Sequence, residues 1–356
     1  MCPHLDVEHR RGVNFVWAAS LELGWKRLMQ LAGGPIELEG LEEAEPAAKL
    51  VRALNQSPLD EKLRLSSLLA WAGPGTDEAV ERVGSDLRKL LGPALPVRLP
   101  SSHGADRIFV WGGFSMEPRF NVPLARYPKS RISLGHQGYP FGLWWNEDDP
   151  AELWSARSSQ VIVHFPRYTR EEVNELSLEE VEAMNNYCAI ELRPSDSSVS
   201  VIYATLPRGA ILRDTVASAC AMMTTEDTHP NAHFTTEEKL WIPAIQLTCE
   251  AMFSELVGRR ITNPSLRDKV LGELGLSARF HFDGGEGSSP TSPPSFGLMS
   301  PIRSYDHGMP VLLMVVTRDT RVPIFVLWVD RIEWEDSTPA RPGSLMQRAP
   351  GALRPG

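Results

Sequence analysis

Three short clusters in this sequence bring together residue types that can do chemistry. His229-Pro230-Asn231-Ala232-His233 sets two imidazoles four positions apart. On a helix that spacing puts both on one face, where they can share a zinc ion. Pro230 and Asn231 argue against a helix, and no acidic residue stands where a catalytic base would be, so the pair reads as a surface loop. Gly284-Gly285-Glu286-Gly287-Ser288 has enough glycine to wrap a phosphate, but a phosphate cradle must lead into a helix N-terminus. Pro290, Pro293 and Pro294 follow and prevent a prompt helix start. Glu147-Asp148-Asp149 offers the oxygen ligands that hard cations prefer, or an acid and a base. Three acids in a row before Pro150 read instead as a solvated turn.

The four cysteines, Cys2, Cys188, Cys220 and Cys249, lie far apart, with no Cys-x-x-Cys pair. Metal clusters use closer spacing, so these read as buried free thiols. There is no Gly-x-Ser-x-Gly elbow, and no Ser, Cys or Lys is matched to a His by a local motif. A catalytic site would have to assemble from distant residues. The expectation is therefore a protein that is not an enzyme and uses no cofactor and no metal. The stretch from Gly138 to Trp145 concentrates aromatics, and Tyr139, Phe141, Trp144 and Trp145 form a candidate interaction surface. Aromatic anchors are enriched in interfaces; core packing is the competing role.

The elements that must position any site come from a chain of 356 residues, 42% hydrophobic and 23% charged. The net charge of -9 leaves no global basic footprint for nucleic acid. No apolar run approaches the roughly 18 residues of a membrane helix. The polar start, Met1 to Arg10, lacks the apolar middle of a secretory signal. These features predict a soluble, cytoplasmic protein whose partners are neither nucleic acid nor membrane.

Leu21, Trp25, Leu28, Met29 and Ala32 recur at helical spacing, and Gly33-Gly34-Pro35 stops that helix. Leu63, Leu68 and Leu69 suggest a second helix ended by Gly73-Pro74-Gly75. Val80, Val83, Leu87 and Leu90 predict a third, with Thr76 and Asp77 at its start. Arg107 to Trp111 reads as a strand ended by Gly112-Gly113, and Val161 to Phe165 as another. Capping-box spacings, Thr169 with Glu172 and Ser177 with Glu180, predict helix over 169–185. Cys188–Leu192 and Val199–Ala204 read as a strand pair joined through Pro194-Ser195-Asp196-Ser197. A helix is expected over 210–223, and an extended Leu240–Leu247 with Pro243 at an edge or bulge. Asn263-Pro264 predicts a helix carrying Leu266, Val270, Leu271 and Leu274 and ending at Gly275, before a strand Ala278–Phe282. Val311–Val316 and Ile324–Val329 flank a polar connector and predict a buried hairpin.

The order of these elements resembles the serpin family. Asn14 to Leu21 is similar to the family's strand-and-helix entry. Arg107 to Leu124, with Gly112-Gly113-Phe114 and Phe120-Asn121-Val122-Pro123-Leu124, is similar to the family strand that ends in a Lys-Gly-x-Trp-x-x-Pro-Phe pattern. Lys239 to Leu256, with Trp241-Ile242-Pro243, resembles another family strand. Phe280 to Asp283, the glycine-serine stretch and the segment from Met309 to Val329 follow the order central strand, hinge, reactive loop, terminal hairpin. The chain departs from the pattern at its start, where about a dozen residues precede Asn14 and the usual first helix is missing or replaced. It departs again at Met309-Pro310-Val311, which lacks the family's arginine. The resemblance implies an α+β fold, with a helical N-terminal part packed on mixed and antiparallel sheets and closed by a buried C-terminal hairpin. One domain over 1–335 and a disordered, proline-rich tail over 336–356 are expected.

The resemblance also implies a mechanism to test. In inhibitory members a protease cleaves an exposed loop, which then inserts into the main sheet as a new strand. The matching hinge here is Glu286, Gly287, Ser288, Ser289 and Pro290, with Pro293 and Pro294 beyond it. Proline has no N–H and is largely excluded from central strands, so insertion should be slow or blocked. Counting back from the hairpin puts the bait bond at Met299–Ser300. The expectation is a serpin-like protein that is non-inhibitory and acts through protein or ligand binding. The alternatives are an intracellular inhibitor of serine or cysteine proteases using 284–308 as bait, and an enzyme with a site assembled from distant residues.

Overall fold

The computed structural model describes residues 1–60, 62–92, 100–101, 104–126, 130–133, 137–138, 141–143, 150–164, 187–223, 240–283, 310–330 and 333–336. An extended start reaches β1 (Phe15–Ala18), which runs directly into α1 (Ala19–Ala32). Gly33 ends α1 at φ 76, a left-handed turn that glycine makes without steric cost. Helix α2 (Pro46–Asn55) begins on proline, where a missing N–H is harmless. Next come β2 (Leu68–Gly75), α3 (Asp77–Leu91) and the long β3 (Gly104–Met116). Four short strands follow, β4 (Ala125–Arg126), β5 (Ser130–Ser133), β6 (Gln137–Gly138) and β7 (Phe141–Leu143). Helix α4 (Ala151–Ser158) leads to β8 (Val161–His164), then β9 (Cys188–Leu192), β10 (Val199–Thr205) and α5 (Leu212–Met223). The described chain closes with β11 (Leu240–Ile242), β12 (Ile245–Met252), β13 (Val270–Phe282), β14 (Val311–Thr317), β15 (Pro323–Val329) and β16 (Glu333–Asp336).

Two large sheets dominate. One is antiparallel throughout, in the order β1-β15-β14-β10-β9-β8. The other, β12-β13-β3-β2, is mixed: β13 and β3 run parallel and the outer pairs antiparallel. Smaller sheets β11-β7-β4 and β16-β5-β6 complete the set. The two large sheets share a core with α1, whose Leu21, Trp25 and Leu28 are fully buried. Phe325 of β15 stacks on Phe114 of β3 at 4.5 Å and on Phe280 of β13 at 4.9 Å. At Gly112 the mixed sheet touches α1 so closely that a Cβ would lie 2.6 Å from the Leu21 nitrogen.

The architecture is α+β, as expected, and so are α1, α3, α5, the β9–β10 pair and the β14–β15 hairpin. Thr76 caps α3 by accepting from the Ala79 N–H at 3.3 Å. Three local expectations are corrected. The second helix is Pro46–Asn55, and Leu68 and Leu69 open strand β2. Gly73-Pro74-Gly75 end that strand, and since β2 is an edge, Pro74 can be tolerated there. After Asn263-Pro264 only a 3-10 turn forms, Pro264–Leu266, and Val270, Leu271 and Leu274 belong to β13. Val270 and Leu274 are four apart, a spacing that a helix face and a strand face both satisfy. Gly112-Gly113 lie inside β3 and do not end it. The segment 169–185 and the tail beyond Asp336 lie outside the described residues.

Candidate functional site

A parallel strand pair lies at the centre of the mixed sheet. β13 aligns with β3 from Val270 opposite Arg107 to Phe280 opposite Met116. β13 then ends at Phe282, and the chain leaves the sheet at Asp283. It re-enters as β14, in the other large sheet. The segment between, 284–309, therefore joins a middle strand of one sheet to a middle strand of another. A strand placed between two parallel neighbours can run antiparallel to both, and it must donate and accept ladder bonds on both sides.

The expected hinge, Glu286 to Pro290, and the expected bait bond, Met299–Ser300, lie outside the described residues. So do Tyr139, Trp144, Trp145, the Glu147-Asp148-Asp149 run, His229–His233 and Gly284–Ser288. Phe141 falls in β7, between β11 and β4.

Sequence reading missed a buried ionic hub in the antiparallel sheet. Glu191 of β9 is fully buried. Its carboxylate accepts from Arg321 Nη1 at 2.8 Å and Nη2 at 3.1 Å, and from Ser200 Oγ at 2.9 Å. Arg193 Nε stands at 3.4 Å and His164 Nε2 at 3.1 Å. Burial alone would raise this carboxyl's pKa, but the bonds from His164, Arg321 and Ser200 and the Arg321 charge outweigh it. The group is held well below the ordinary carboxylate range. Arg321 sits at φ 56 in the β14–β15 turn, so the hub ties the hairpin's tip to β8, β9 and β10. The only hint in sequence was a lone glutamate between Ile190 and Leu192 in an otherwise apolar strand.

A second buried carboxyl behaves in the opposite way. Glu22 of α1 is 2% exposed, accepts from Trp17 Nε1 at 2.8 Å, and is bonded by Ser57 Oγ. Burial outweighs these bonds and raises its pKa. The thiols carry no sign of activation. All four cysteines are free, and burial pushes Cys2 up to about 12 and Cys220 and Cys249 each up to about 11. Thiolate is the reactive form, so Cys2, Cys220 and Cys249 are poor nucleophiles. Among the described residues no group of three His, Cys, Asp or Glu side chains is placed to hold a metal ion, and no helix is long and apolar enough to cross a membrane. A polar cleft of about 360 Å³ opens between the end of α3 and the β9–β10 turn, lined by Ser67, Lys89, Ser115, Arg119 and Asp196. Its charges are of both signs, and it selects no ligand class.

No protein-family model matches the chain, and no curated protein matches its sequence. Among solved structures the chain is similar to serpins. Uncleaved ovalbumin aligns at 10% identity over 90% of this chain and 94% of that one, with a TM-score of 0.49. Serpin-12 of Manduca sexta aligns at 11% identity over 90% and 93%, with a TM-score of 0.48. Human thyroxine-binding globulin complexed with thyroxine aligns at 10% identity over 90% and 92%, with a TM-score of 0.43. The likeness is one of chain path alone.

Proposed function

We propose that this chain is a serpin-like protein that acts by binding and does not trap proteases, with 284–308 as the segment it presents. The observation that supports this is the closed β3–β13 ladder together with the sequence that leaves it. A strand entering that seam would need N–H donors on both sides. Pro290, Pro293 and Pro294 cannot supply them. The four free thiols fit a reducing compartment, which supports a cytoplasmic setting.

Incubation with a panel of serine and cysteine proteases tests the reading. The expected result is cleavage within 284–308, no complex stable to denaturant, and a Tm within about 5 °C of the intact protein. A denaturant-stable adduct, or a large rise in Tm on cleavage, would overturn it. That outcome would install the inhibitor reading.

A further inference from the structure

Residues 2–12 run as an extended strap at the end of the antiparallel sheet where β1 starts and β15 finishes. Its middle pairs with the entry to α5. The Arg213 N–H donates to the Leu5 carbonyl at 2.9 Å, the Leu212 N–H to Val7 at 2.9 Å and the His9 N–H to Ala210 at 3.2 Å. Asp6 pairs with Arg213 beside that ribbon. Further along, the Gly12 N–H donates to Asp330 Oδ2 at 2.6 Å, just past β15, and Asp330 also pairs with Arg208.

The strap carries two histidines, and each is placed for a neutral ring. His9 packs against Trp328 of β15 at a centroid distance of 4.7 Å and against Phe15 of β1 at 5.8 Å. Its Nε2 stands 2.8 Å from Oγ1 of the buried Thr215 in α5, which also accepts the Gly209 N–H at 2.9 Å. Its Nδ1 is buried and has no hydrogen-bond partner among the described residues. In the neutral ring Nδ1 can be a bare lone pair, but in the imidazolium both nitrogens carry N–H. A buried N–H without an acceptor keeps its full desolvation cost. The charged groups around the ring are Arg208 after β10, Asp330 after β15 and Asp214 of α5. Burial and Arg208 outweigh the two carboxylates and hold this imidazole below the ordinary 6.5. His4 Nδ1 accepts the Asp6 N–H at 3.1 Å, a bond that only an unprotonated nitrogen makes. Its charged neighbours are Asp6 of the strap and Arg213 of α5; burial outweighs the pull of Asp6, Arg213 adds to burial, and this pKa too is lowered.

We propose that His9 and His4 make residues 2–12 a pH-sensitive latch, closed on α5 and β15 while both rings are neutral and released by mild acid. Each ring takes a proton more readily in the released strap. The stability they lend the closed strap is therefore full above 6.5 and is lost as pH falls from there through their closed-state values. Glu22, whose carboxyl pKa burial raises, regains stability as pH falls and so opposes release. Asp6, which Arg213 holds below the ordinary carboxylate range, stays ionised across this window. Release would uncover the Trp328 ring and free the backbone of 210–213.

Hydrogen exchange at about pH 7.5 and about pH 5.5, corrected for the intrinsic pH dependence of amide exchange, tests the latch. The lower value lies roughly one unit below the ordinary histidine pKa, so the His9, Leu212 and Arg213 amides should lose protection roughly tenfold there. Amides of β14 and β15 should keep theirs. A double variant, His4→Asn with His9→Gln, sets amides in place of the ring nitrogens and does not titrate, so its protection should be alike at the two pH values. Equal protection of the wild-type strap at both values would overturn the latch. So would a loss shared by β14 and β15, which marks global unfolding, or a double variant that keeps the wild-type response. Should the double variant be open at both values, the wild-type imidazole titrations followed by NMR decide: midpoints below 6.5 support the latch, and midpoints at or above it overturn it. The latch uses no residue of 284–308, so its failure leaves the binding proposal standing.

Discussion

The β14–β15 hairpin and the β3–β13 seam are both central and both buried, yet they are held in different ways. From Val311 to Thr317 and from Ile324 to Val329 every residue is buried, so the hairpin is covered on both faces. At its tip the Glu191 hub, with a fully buried carboxylate bonded on several sides, and Arg318, which donates to the carbonyls of Pro194 and Val199, anchor it. The seam has a dry face toward α1 and a mixed face beneath α3, where Glu273, Ser277 and Arg279 lie beside Phe109 and Trp111, which pack on Leu87 and Leu91. Ser277 Oγ and Trp111 Nε1 on that face have no hydrogen-bond partner among the described residues. The difference teaches that two central, buried strand pairs of one fold can be held differently, the hairpin by apolar packing on both faces and the seam by a core face and a mixed face of rings, aliphatic and charged groups.

The largest effect should come from breaking the dry side of the comparison. Phe325→Ala removes the ring that joins both sheets through Phe114 and Phe280. A loss of about 4 kcal/mol is expected by denaturant titration; a loss below about 1 kcal/mol would show that the sheets are joined elsewhere.

Next is the hub. Glu191→Gln leaves Arg321, Arg193 and His164 around a neutral amide, and a loss of about 3 kcal/mol is expected at neutral pH. The sign with pH follows from the lowered carboxyl. Stabilisation is full above the ordinary value of 4.5 and is lost as pH falls below it through the folded-state value. The wild type should therefore converge on Glu191→Gln in acid, and parallel pH profiles for the two would remove the hub from the account.

Smaller effects lie on the helices. Thr76→Ala deletes the cap of α3, the helix that covers the seam, and should cost about 1 kcal/mol. Seam amides should then exchange faster than those of the hairpin, and an equal change in both regions would contradict the division drawn here. Glu22→Gln removes a carboxyl whose pKa burial has raised. For such a group the stability present below 4.5 is lost as pH rises toward the folded-state value. Glu22→Gln should accordingly gain on the wild type between acid and neutral pH in thermal melts. A constant offset across that range would mean that Glu22 ionises freely where it sits.

Much of this architecture was legible in the residue order. The two apolar runs at 311–316 and 324–329 fit a strand too short for a membrane and too β-branched for a helix, and they pair as a hairpin. Thr76 ahead of Val80, Val83 and Leu87 announced α3, because a cap and an apolar stripe agree with each other. Residues 263–275 misled because spacings of four satisfy both helix and strand, and neighbours decide between them. Residues 68–75 misled because an edge strand tolerates the proline and glycines that also punctuate helices.

Sequence by itself determined which stretches carry apolar faces, and that Pro290, Pro293 and Pro294 follow the end of β13. Tertiary structure alone decided that β13 lies beside β3 in parallel, that its polar residues bond to a helix end far away in the chain, and that Glu191 meets Arg321. Those pairings join residues up to 188 positions apart. Local propensity acts over a few neighbours, so it cannot specify a contact whose two halves meet only once the sheets have closed.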